Sequence, residues 1–195
     1  MATITGCTAI KNNALLTCTY GLTVTQGNQS TENNNTEIPY EYYVLFDTNG
    51  LYFSGTTRPN AGTIKVKIDG KEVVSKTVPL TNGIQDGTYI IPKTKGSVKI
   101  PHETDGSKKL KFSIEMVTGT DQNNYNYVWN ASSKSSEMTL TSIPRQSSFS
   151  LTGDLLGSKV TVDIARNVDT YNHKVEYDFN GSGYITASEN VETSC

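Results

Sequence analysis

At 195 residues the chain is long enough for one ordinary core and the start of a second, and 17 Lys+Arg against 19 Asp+Glu leave a formal net charge of -2 with no block of like charge. That balance argues against nucleic acid as a partner, and no run approaches the roughly 18 apolar residues of a membrane span. The opening MATITGCTAIKNN has no basic leader ahead of an apolar core, so a chain made and kept in the cytoplasm is expected.

Taken along the chain, the periodicity is that of strands. LTCTYGLTV places Leu16, Cys18, Tyr20, Leu22 and Val24 on one face. In the YEYY cluster, Tyr40 and Tyr42 continue an inward alternation with Val44 and Phe46, which leaves Tyr43 facing outward. TIKVKIDGKEVVSKTV sets Ile64, Val66 and Ile68 against Lys65 and Lys67, and Asp69-Gly70 supplies the positive φ of a tight hairpin turn. KKLKFSIEM repeats the pattern with Leu110, Phe112, Ile114 and Met116. The turn signals Asn49-Gly50, Asn82-Gly83, Asp86-Gly87, Asp105-Gly106 and Asn180-Gly181 fall between such runs. Ile143-Pro144 ends a strand, because proline brings no amide hydrogen to a ladder and restricts the residue before it. A serine-rich restart follows, with Phe149 and Leu151, then Val160, Val162 and Ile164, then Val175, Tyr177 and Phe179. Short strands with frequent turns and no sustained helical spacing predict an all-β sandwich or barrel.

Chemistry-bearing residues are sparse. Cys7, Cys18 and Cys195 are too few and too unevenly placed for a disulfide framework, and both a Cys7–Cys18 bridge and a pair of small buried thiols are open readings. The two histidines, His102 and His173, have no spaced Cys or acidic partners of a zinc signature, and His102 lies in a PHETDG turn, where shaping a loop is its expected role. Asp47 opens a DTNG stretch that lacks the later acids of a calcium loop and reads as a plain turn. Glu32, Glu37, Glu41 and Asp47 are the acids from which a glycosidase pair would be drawn, but sequence does not measure their separation. The sequons at Asn28, Asn34, Asn130 and Asn180 carry no weight in a chain so rich in Asn, Ser and Thr. In NYNYVWN, Tyr125, Tyr127 and the single Trp129 fall on one side of an alternating stretch. Two readings stand: the rings supply core area, or they form a platform on which a saccharide stacks, with Asn124, Asn126 and Asn130 as hydrogen-bonding partners and Tyr43 as a lesser candidate.

TLTSIPRQSSFS resembles the joint of a family of siphophage minor structural and tail proteins, in which Ile-Pro-Arg followed by small residues closes one β domain and opens an immunoglobulin-like one. IPHETDGSKKLKFSIEM is similar to that family's His-x-x-Asp-Gly-Ser/Thr-Lys turn and following strand, and GTIKVKIDGKEVVS to its preceding hairpin. The resemblance covers most of residues 14 to 180. The DQNNYNYVWNASSKSSE loop and the YEYY cluster depart from the family pattern. Each shared motif is a turn or a joint, so the resemblance implies a virion component built of β modules, at the tail tip or in its fibres.

The expected organisation is a β-sandwich over 1–143, a joint at 144–146 and an immunoglobulin-like module over 147–195. That last stretch is half of the roughly 100 residues such a sandwich needs. Its strands would form a single sheet with an uncovered apolar face, completed by another chain, by the first domain or by further residues of a longer protein. The expected function is structural and adhesive, not enzymatic, with no cofactor and no metal. Expected partners are other virion proteins, further copies of the chain and a host cell-wall saccharide; neither nucleic acid nor membrane insertion is expected. The expected location is the virion, assembled in the host cytoplasm. A carbohydrate-binding module of a bacterial surface or secreted protein, and a capsid decoration or head fibre protein, are the alternatives.

Overall fold

The computed structural model describes residues 1–120, 127–144, 148–153, 160–165, 175–177 and 185–187. Nine strands fall before Pro144: β1 (Ala2–Ile10), β2 (Asn13–Val24), β3 (Gln29–Ser30), β4 (Asn35–Phe46), β5 (Arg58–Ile68), β6 (Lys71–Leu80), β7 (Tyr89–Pro101), β8 (Lys109–Thr118) and β9 (Ser132–Thr139). All pairings are antiparallel, and no helix occurs among the described residues. Sheet one runs β1-β2-β4-β7, with short β3 beside the start of β4; sheet two runs β6-β5-β8-β9. The two sheets face each other over one core, an all-β sandwich in which inward residues alternate with outward ones along each strand.

The alternation that predicts the strands also fills that core. Leu16, Cys18, Tyr20, Leu22 and Val24 of β2 are buried, as are Ile64, Val66 and Ile68 of β5 and Leu110, Phe112, Ile114 and Met116 of β8. Asp69 and Gly70 both take positive φ, 52° and 77°, which turns β5 tightly into β6. Lys65 and Lys67 stand on the opposite face and pair with Glu72 at 3.1 Å and Glu115 at 3.4 Å. These exposed pairs are worth little individually but keep the outer face of sheet two polar.

Sheet one carries a recurrent device. Gly6 is paired directly with Tyr20, Gly21 with Tyr43 and Gly96 with Tyr40. In each case the tyrosine ring occupies the space where a Cβ on the glycine would project. An aromatic laid across a cross-strand glycine restores the contact area that the missing side chain forfeits and pins the register. Tyr20 and Tyr40 do this toward the core, Tyr43 toward solvent.

Cys7 and Cys18 are free thiols. Cys7 opposes Thr19 and Cys18 opposes Thr8, so the two thiols project from opposite faces of the β1–β2 ladder and cannot meet. Cys18 is buried, and loss of solvent pushes its thiol far above the usual range.

The strand before Pro144 ends earlier than the sequence pattern suggests. β9 stops at Thr139, and 140–143 leave the ladder, because Leu140 and Ile143 are buried against neighbouring turns instead. After Pro144, β10 (Ser148–Gly153) pairs with β11 (Val160–Ala165), and β12 (Val175–Tyr177) pairs with β13 (Ile185–Ala187). The described part of this stretch is thus two antiparallel pairs; the single four-stranded sheet expected from the sequence is not among the described pairings.

Candidate functional site

Up-and-down tracing gives the sandwich two unlike ends. The 11–12 turn, the 47–57 and 81–88 loops and residues 119–120 and 127–131 gather at one end, the apex. The 25–34 loop, the 69–70 turn, the 102–108 loop and the 140–144 segment gather at the other, the base. Ladders and contacts agree: Ile10 bridges Trp129 and Gly119 N donates to Ala61 O at the apex, whereas Lys108 pairs with Asp69 at 2.9 Å at the base.

At the apex the 47–57 and 81–88 loops are laced together. Tyr52 bridges Gln85, Phe53 N donates to Ile84 O at 3.0 Å, and Asp86 N donates to Leu51 O at 3.2 Å. The Asp86 carboxylate accepts from the backbone N–H of Thr48 at 2.7 Å and of Gly50 at 3.0 Å. Asn49 and Gly50 take positive φ, so the DTNG stretch is a turn closed by Asp86. Those amide donors, Thr48 first, hold the Asp86 carboxyl below its ordinary range. A depressed carboxyl stabilises the fold fully above its unfolded-state pKa, and the contribution is lost as pH falls through the folded-state value. Acidification from pH 7 to 3 is therefore expected to lower the urea midpoint of the native protein more than that of Asp86→Asn, whose midpoint at pH 7 starts lower.

This laced end exposes apolar side chains. Leu15 is 70 % exposed, Tyr52 63 %, Tyr89 45 % and Tyr127 37 %. Tyr127 lies against Phe53, ring centroids 5.8 Å apart, with the Arg58 guanidinium 5.9 Å from its centroid. Tyr43, half-buried on the outer face of sheet one, meets Tyr89 edge-on, centroids 5.9 Å apart at 79°.

The aromatic platform expected in NYNYVWN does not form as a unit. Trp129 is fully buried, edge-on to Phe46 at 6.3 Å, and its neighbour Val128 is buried too. The alternation fails there because residues 128–130 lie between the start of β5 in sheet two and the end of β1 in sheet one. Lys11 N donates to Val128 O, Trp129 N to Ala61 O and Asn130 N to Ala9 O, each at 2.9 Å, so both sides of the chain are covered. Trp129 thus has no face to offer a sugar. Tyr127 and Asn130 are exposed, and Tyr125, Asn124 and Asn126 lie outside the described residues. Sequence reasoning missed Tyr89 and Tyr52, which sit in stretches without a readable period.

At the base, the two motifs of the sequence resemblance meet. His102 is buried; its Nδ1 lies 2.7 Å from Gly106 O and its Nε2 2.7 Å from Thr36 Oγ1. A carbonyl only accepts, so Nδ1 carries the proton and Nε2 accepts from the threonine hydroxyl. The same Gly106 carbonyl accepts from Ile143 N at 2.9 Å. Leu140 N donates to Lys108 O, Thr141 N to Gln26 Oε1, and Gln29 Nε2 to Thr141 O. The histidine turn and the approach to Pro144 form one clasp. Among the acids considered for a glycosidase pair, Glu41 is salt-bridged to Lys95 at 3.9 Å, and Asp47 accepts from the Thr19 hydroxyl at 2.8 Å.

A β-sandwich with laced, aromatic-bearing loops at one end and a clasped exit at the other is the class of protein this geometry defines. The chain belongs to a family of siphovirus proteins of unknown function (DUF859), whose model matches residues 13–195. No curated protein and no solved structure matches it.

Proposed function

We propose that this siphovirus protein is a non-enzymatic structural component of the virion, placed at the tail tip or in a tail fibre, and that its apex contributes to host attachment. The observation that carries the reading is polarity. The chain leaves the sandwich at the clasped base, while exposed aromatic and aliphatic side chains gather at the opposite, laced end. A module held from its base displays its apex, and loops on a rigid scaffold are where recognition residues concentrate. Its partners are other virion proteins bound through the base and the segment after Pro144, and further copies related by symmetry. The reading is non-catalytic because the ring nitrogens of His102 are engaged in loop closure and Asp86 and Glu41 in backbone capping and an ion pair. Immunogold labelling of intact phage tests the location: label at the tail tip is expected, and label confined to the capsid would assign a head fibre or decoration protein instead. A Fab selected for the 47–57 loop is expected to block adsorption, whereas adsorption unchanged at saturating Fab would remove the attachment role.

A further inference from the structure

We infer that the outer face of sheet one, at its apical shoulder, is a binding site for a neutral saccharide, with the Tyr43 and Tyr89 rings as its stacking surface. The inference rests on the proposed attachment role and names the chemistry of the ligand. Outward faces of antiparallel sheets are ordinarily polar, yet here a row in register across β2, β4 and β7 reads Thr19, Leu45, Tyr89, and the next carries Gly21 and Tyr43. The β4–β7 ladder slips on both sides of Val44, with Pro92 and Lys93 unpaired on one side and Ile90 on the other, and such bulges re-aim side chains beside functional sites.

Both rings are positioned before any ligand arrives. Tyr43 lies over Gly21, where any larger residue would displace it, and Tyr89 braces it edge-on. Hydroxyls surround them: Thr5 opposes Gly21 across β1–β2, Thr19 lies one row above, and Thr23 one row below. Thr19 already donates to Asp47 Oδ2, which leaves its oxygen lone pairs as acceptors. The charges at its margin are of both signs: Glu41 pairs with Lys95, and the Asp47 carboxylate accepts from Thr19. Aromatic faces for the C–H side of a pyranose, ringed by hydroxyls and with no cluster of cations, suit an uncharged sugar and suit neither a polyanion nor a large apolar protein surface.

The test is isothermal titration of the intact chain with cell-wall polysaccharide purified from the bacterium on which the phage grows. Binding is expected, and Tyr89→Ala, at an exposed position, is expected to weaken it about tenfold while leaving the thermal midpoint unchanged. Tyr43→Phe keeps the ring over Gly21 and is expected to bind within about twofold of the native chain, whereas Tyr43→Ala is expected to lose binding. Absence of binding by the folded native chain, or equal binding by Tyr89→Ala, overturns the inference. So does a dimer in sedimentation that Tyr89→Ala dissociates, which would make this face a contact between copies. Tail-tip labelling without polysaccharide binding defeats this inference and leaves the attachment reading standing; binding by the isolated chain with capsid-only labelling does the reverse.

Discussion

Trp129→Ala is expected to cost about 3–5 kcal/mol of folding stability, read as a drop in urea midpoint at unchanged slope. The indole is fully buried and closes the apical end of the core: it packs edge-on to Phe46, and its Cδ1 and the Met116 sulfur fill the space over Gly62. Truncation leaves a cavity that cannot collapse, since the backbone on either side is fixed to Ala61, Ala9 and Lys11. Trp129→Phe separates packing from polarity. The indole Nε1 is buried with no hydrogen-bond partner among the described residues, so phenylalanine removes an unmet donor along with some volume. Its loss is expected to be well under half that of alanine. A Trp129→Ala protein as stable as the native one would show that the ring is not core.

His102→Ala is expected to cost about 2–4 kcal/mol, because it strands the fully buried Thr36 hydroxyl and leaves a void beneath the turn. A second readout distinguishes the clasp from general packing. With the Gly106 carbonyl no longer held by the imidazole, its bond from Ile143 N is weakened, and the chain before Pro144 is released from the base. Limited trypsinolysis after Arg145 is therefore expected to accelerate in His102→Ala well before the sandwich itself is cut. Trp129→Ala, at the other end, is expected to lose sandwich and joint together. If both variants are cut in the same order, the clasp adds nothing specific to the joint.

Strands with a strong inward period were legible, and so were turns where Gly or Asn takes positive φ, such as Asn49-Gly50 and Asp69-Gly70. β7 and β9 were not. The inward row of β7 is broken by the slips near Pro92, and SSKSSEMT of β9 is exposed at nearly every position, held as a strand by β8 and not by a hydrophobic face of its own. β1 was equally quiet, because Gly6 and Thr8 stand between Ile4 and Ile10 on its inward side. The outward direction of Tyr43 followed from alternation in one strand. Its seat on Gly21 and its contact with Tyr89 did not, since pairing and register are properties of strands taken together. Likewise, the histidine turn and the Ile-Pro-Arg stretch were each readable as turns, but only the fold shows that one carbonyl serves both.

The meeting of β1 with β9 bears on crowding. Tyr20 donates through its hydroxyl to Ser132, which donates to the Cys7 carbonyl, so the outermost strands of the two sheets are stitched to each other by side chains. On the opposite flank β6 lies against β7, whose rim carries Pro92, Pro101 and exposed Lys93, Lys95 and Lys99. A bare backbone rim recruits strands from neighbouring molecules, and proline and lysine discourage it. Copies of the sandwich brought close together would therefore meet through side chains along both of these rims and stay separately folded.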